Sequence, residues 1–150
     1  MKRHSLFSWV RIVKCFMFFY LIYYPFYVNS FSSITILNVS SSLYNEHGWS
    51  EDDFNLCKKW ELSKKQVKEI FLLSEKLESY DSSTTFYWLW FPCSISGELI
   101  SDEQKWFFTI NGGGISKWTR GEVVIYFGCS VEKCDKFFIL PYAGRDKVDF

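Results

Sequence analysis

Two histidines, five cysteines and seventeen carboxylates are the residues of this 150-residue chain with obvious chemical potential, and their spacing restricts what they can do. His4 falls in a basic and apolar N-terminal stretch, which leaves His47 as the one imidazole of the remainder. Two-histidine metal sites are thereby excluded, and a base-activated nucleophile would have to use this single ring. Ser50, Asp52 and Asp53 lie near it in sequence. Adjacency supplies no triad geometry, so His47 reads as a loop residue. Paired carboxylates are the other route to hydrolysis, as in glycan cleavage, and Asp52, Asp53, Glu98 and Glu103 are the candidates. Nothing sets their separation or burial, and Glu103 falls within an expected turn from Ile100 to Gln104. Gly112-Gly113-Gly114 lacks the Lys and Ser or Thr that a phosphate-binding loop places before a helix, and it reads as a turn. The expectation is a non-enzymatic protein with no catalytic residue, no cofactor and no metal ion.

Cys15 lies at the start of an apolar run without the Leu-x-x-Cys setting of a lipoprotein site, and is read as a bystander thiol. Cys57, Cys93, Cys129 and Cys134 remain, an even number in a small domain, and two disulfides are the natural reading. Three pairings are open in principle. Joining Cys129 to Cys134 closes a small local loop and leaves Cys57 and Cys93 to fasten distant segments. A four-cysteine zinc site competes, but zinc ribbons offer two close pairs, and Cys57 and Cys93 stand far apart. Cys129-Ser-Val-Glu-Lys-Cys134 also lacks the two-residue spacing of a thioredoxin-like redox pair.

The N-terminus says where such bridges would form. Lys2, Arg3, Arg11 and Lys14 precede an uncharged run of fourteen residues, Cys15 to Val28, followed by Asn29-Ser-Phe-Ser-Ser33. Basic flank, short apolar stretch and small polar exit describe a signal peptide, with a mature protein beginning between residues 29 and 34. An uncleaved anchor extended through Phe31 to Leu37 is the second reading, because no Ala-x-Ala site is present; a buried helix of the domain is the third. The first two place the domain in the periplasm or outside the cell, held in the second case at the inner membrane.

Seventeen bases balance seventeen acids over the whole chain. Four of the bases and none of the acids lie in residues 1–32, so the remainder carries thirteen bases against seventeen acids, a net charge of minus four. No basic footprint for nucleic acid is visible, and that class of partner is set aside. The 48% hydrophobic and 21% aromatic content excludes a disordered chain.

These residues need a scaffold, and the sequence predicts an α+β one. Residues 1–32 are the signal peptide or membrane anchor, 33–56 a lead-in segment, and 57–150 the domain. In the lead-in segment, Ile34 to Val39 read as a short strand or a linker, and Glu46, Glu51, Asp52 and Asp53 around Trp49 suggest an exposed acidic loop. Ser63 and Gln66 make a capping box before Val67, Ile70, Phe71 and Leu77, one helix ending near Ser79. Strands are expected at Thr84–Pro92, Ser94–Ile100, Lys105–Asn111, Ile115–Thr119, Glu122–Phe127 and Lys136–Leu140, mostly antiparallel. The main helix would cover one face of this disulfide-stapled meander, and the outer face must be polar or bind something.

At Tyr87-Trp-Leu-Trp-Phe-Pro-Cys93, Gly97, Trp106-Phe-Phe-Thr-Ile-Asn-Gly-Gly113 and Phe127-Gly-Cys129 the chain resembles small, uncharacterised exported proteins of Gram-negative bacteria, some of them immunity proteins against secreted antibacterial toxins. The resemblance spans roughly residues 57–140 and transfers no binding residue. It implies a periplasmic binding protein whose partner is a protein, in the immunity case a cognate toxin, with membrane contact only through an uncleaved N-terminus. An envelope-associated structural protein is the alternative, and an exported hydrolase a further one. Trp49, Asp52 and Asp53 in the acidic loop, with Trp118 and Arg120 near a hairpin turn, are the candidate partner-binding residues.

Overall fold

The computed structural model describes residues 33–44, 50–78, 88 and 90–145. The apolar N-terminal run, Trp49 and most of the strand expected at Thr84–Pro92 lie outside the described residues.

Alternation of buried and exposed residues from Cys93 onward builds the centre of the fold. Four strands run as an antiparallel meander: β4 (Cys93–Ser101), β5 (Gln104–Asn111), β6 (Ile115–Arg120) and β7 (Val123–Gly128). Three earlier strands add to the same sheet, β1 (Thr35–Val39), β2 (Leu43–Tyr44) and β3 (Glu75–Leu77). The order β1-β4-β5-β6-β7-β3 places β1 and β3 at the edges, with β2 pairing the start of β4. Residues 33–44 are therefore part of the sheet, which extends beyond a meander. The fold is mixed helix and sheet, with two disulfides.

Among the described residues two α-helices, not one, pack on the sheet. Of the expected acidic loop, Glu51, Asp52 and Asp53 form the first turn of helix α1 (Glu51–Lys59). Ser50 caps it: its hydroxyl accepts from the Asp53 backbone N–H at 3.2 Å, while the Asp53 carboxylate accepts from the Ser50 N–H at 3.1 Å. Glu51, Asp52 and Asp53 occupy its first turn and Lys58 and Lys59 its last, where each charge complements the helix dipole. Helix α2 (Lys64–Leu73) starts at the Ser63–Gln66 capping box as expected. It ends at Leu73, before the expected Ser79, because the Ser74 hydroxyl bonds back to the Ile70 carbonyl at 2.8 Å and the chain turns into β3. The strand expected at Lys136–Leu140 is also absent. A 3-10 helix, Glu132–Phe137, takes up its first two residues, and the Ile139 and Leu140 amides bond the Gly112 carbonyl at 2.9 and 3.1 Å without forming a ladder.

The core lies between the helices and the inner sheet face. Val67, Ile70 and Phe71 of α2 meet Ile95, Leu99, Phe108, Ile110 and Trp118. Phe71 sets its ring edge-on to Phe108 and Trp118, with centroids 5.4 and 5.0 Å apart. Cys57 and Cys93 are bridged, tying α1 to the start of β4 with Cα atoms 5.5 Å apart. Cys129 and Cys134 are bridged across 6.0 Å, where the chain leaves β7. Both pairings match the sequence expectation and indicate an oxidising, non-cytoplasmic location. No helix among the described residues is long and apolar enough to cross a membrane.

Candidate partner-binding surface

Register decides which side chains share the sheet's outer face, because partners directly opposite in a ladder point the same way. Glu98 pairs with Phe107, Phe107 with Thr119, and Thr119 with Val124, a row running across four strands. The next row is Ser96, Thr109, Lys117, Tyr126 and Leu77. Phe107 is 57% exposed and Val124 45%, and Trp90 beside the second row is 48% exposed. Large apolar groups on a mostly polar face are the informative kind of exposure.

Two shallow hollows flank this row. One of about 530 Å³ is bordered by Asn38, Ser40, Ser96, Glu98, Phe107 and Thr109. A second of about 190 Å³ is bordered by Trp90, Thr109, Asn111, Ile115, Lys117 and Tyr126. Asn111 is committed to structure there: its side-chain oxygen accepts from the Phe91 and Gly113 amides at 3.2 and 2.8 Å, and its amide donates to the Phe91 and Cys93 carbonyls. At the turn end the outer face is closed by a small separate cluster. Trp88 lies on Gly128, where any Cβ would run into the indole, and its ring is tilted against Tyr142 with centroids 4.4 Å apart.

Charge on the face is concentrated at Glu98. Its carboxylate accepts from the Lys105 ammonium at 2.8 Å and from the Asn38 amide at 2.8 Å. The Lys105 bond chiefly, supported by Asn38, holds the Glu98 pKa below its ordinary value against an opposing desolvation contribution. Lys105 Nζ also stands 5.8 Å from the Phe107 ring centroid. The result is an ordered ion pair beside an exposed aromatic ring.

The described candidate residues, Asp52, Asp53, Trp118 and Arg120, do not assemble into one site. Asp52 is exposed in the first turn of α1, and Asp53 is held in its capping box. Trp118 is a core residue, 6% exposed, with its ring edge-on to Phe71 and tilted against Trp106 and Phe127. Its indole N–H finds no hydrogen-bond partner in the described structure, so packing alone holds it. Arg120 lies over the Trp106 ring at 4.6 Å, closing the end of the inner face. Glu103 sits beside Asp102 in the β4–β5 turn, both at positive φ. Among the described residues, no group of three or more His, Cys, Asp or Glu side chains is arranged to hold a metal ion.

Phe107 went unnoticed in the sequence although a signal was present. In Lys105-Trp-Phe-Phe-Thr-Ile-Asn111 the apolar phase is Trp106, Phe108 and Ile110, so Phe107 stands out of phase among Lys105, Thr109 and Asn111. Comparison of the chain with protein-family models, curated proteins and solved structures returns no match.

Proposed function

We propose that this chain is an exported, non-enzymatic binding protein of the toxin-immunity type, which holds a protein partner against the outer face of its sheet. The observation that carries this reading is the row Glu98, Phe107, Thr119 and Val124, in which two exposed apolar side chains stand beside polar ones. An aromatic side chain ringed by polar groups is the arrangement of an interface hot spot. The bridges Cys57–Cys93 and Cys129–Cys134 support export and keep the face pre-organised. The basic flank and apolar run of residues 2–28 support the same compartment.

Co-expression with toxins encoded beside this chain's gene, followed by pull-down from envelope extracts, tests the proposal. Phe107→Thr and Val124→Thr change exposed strand positions to a residue that favours strands, so the domain should keep its fold. Loss of toxin capture and of protection from the toxin, with unchanged thermal unfolding, is the expected outcome. Unaltered protection by the double variant, or turnover of a cell-wall or lipid substrate by the isolated protein, would overturn it.

A further inference from the structure

Three lysines stand beside a strand edge. Among the described residues β1 is the outermost strand at its end of the sheet, with β4 as its one neighbour. Alternate residues of an antiparallel pair turn both N–H and C=O away from the partner strand, so β1 presents unfilled donors and acceptors along its other side. Ile34, Thr35 and Ile36 form one wall of a groove of about 310 Å³, and Lys64, Lys65 and Lys68 of α2 form the other. Ile36 is buried and Thr35 exposed, yet both border the groove, and no residue of β4 does. The groove therefore follows the free edge of β1. All three lysines are exposed, and none makes an ion pair among the described residues. The first turn of α2 contains no acid to offset them.

We infer that this groove takes an acidic, extended segment of the protein partner, which adds to β1 as a further strand. The inference rests on the reading of a protein-binding domain and names the chemistry of a second contact. Backbone bonds to the free edge supply affinity in this mode, and the side chains beside it supply selectivity. Charge selects the occupant. A second copy paired edge to edge would bring the same three lysines against each other, and like charges so placed repel. A carboxylate-bearing strand meets the opposite sign. Spacing selects the pattern within it. Lys64 and Lys68 are one helical turn apart, about 6 Å along the axis. Side chains on one face of a strand repeat at about 7 Å, so acids at alternate positions meet both lysines.

The probe is an end-blocked peptide of about six residues, a usual strand length, that alternates Glu and Thr. Titrated into the full disulfide-bonded chain, it should slow amide hydrogen exchange within Thr35–Val39. The triple variant Lys64→Gln, Lys65→Gln and Lys68→Gln keeps helix formers at exposed positions, so the fold should hold. It should bind the peptide at least about fivefold more weakly, the summed loss of three exposed ion pairs. A peptide alternating Gln and Thr should bind the parent as weakly, and so should the Glu peptide in salt near 1 M, where screening acts within about 3 Å. Equal affinity for the Glu and Gln peptides overturns the inference, as does binding that leaves β1 exchange unchanged. Protection of β1 before any peptide is added also overturns it. Protection that rises with protein concentration would mark a second copy on the edge, and constant protection another segment of this chain. The outer-face reading is tested apart from this one, because the peptide assay needs no toxin. A captured toxin that protects Phe107 and Val124 but not β1 would overturn this inference and leave that reading standing.

Discussion

Phe71 and Phe107 show how one residue type reads differently by position. Phe71 sits on the apolar stripe of a capped helix, and its place in the core was legible from spacing alone. It touches both Phe108 and Trp118, so Phe71→Ala should destabilise the domain by about 3–5 kcal/mol through lost burial and a cavity, measured by urea unfolding. A loss under about 1 kcal/mol would mean that the helix is not seated on the sheet as described. Trp118 and Arg120 were harder to read, because sequence alone does not say which end of a strand passes under a helix. Glu98 offers a titration test. Its pKa is lowered by Lys105 and Asn38, so the ion pair adds stability above the ordinary carboxylate range and loses it as pH falls through the depressed pKa. Lys105→Met should raise the Glu98 pKa in an NMR titration; an unmoved value would show that the pair does not form in solution.

At the scale of elements, strands were legible and short helices were not. The strands expected from Ser94 to Phe127 match β4 to β7 to within one residue at each end, because alternation with a buried face is a strong two-residue signal. Helix α1 is nine residues long and buries only Cys57, so it has no apolar stripe, and its acids resemble a solvated loop. Edge strand β3 is three residues and exists through pairing with β7, a long-range fact that no local window contains. The β4–β5 turn carries a testable oddity. Asp102 and Glu103 both have positive φ, 49° and 61°, the conformation of a tight hairpin turn that favours Asn-Gly. Replacing them by Asn and Gly should stabilise the domain by about 0.5–1 kcal/mol, since a β-carbon at Glu103 is strained there. Chemical denaturation that finds the variant weaker than the parent would argue against this turn.

For the whole molecule, the covalent framework was the most legible feature, because cysteine number, spacing and the N-terminal flank pointed to one compartment and one pairing. The outer face of the sheet was not legible as a surface, since which face the helices leave uncovered depends on how α1 and α2 fold back across the strands. The bridges constrain that arrangement unequally. Cys57–Cys93 spans 36 residues and joins a helix to the sheet, whereas Cys129–Cys134 spans 5 and closes a local bend. If bridges act mainly by restricting the unfolded chain, the longer loop contributes about 4 kcal/mol and the shorter about 2 kcal/mol. Against the roughly 5–15 kcal/mol of an ordinary domain, loss of the first is severe and of the second tolerable. The paired variant Cys57→Ala with Cys93→Ala should therefore unfold at a much lower urea concentration than Cys129→Ala with Cys134→Ala. The opposite order would place the larger effect in native-state packing at the Cys129 bend, where Cys129 and Cys134 are both buried, and would mean that the local bridge, not the helix-to-sheet tie, keeps the outer sheet face in shape.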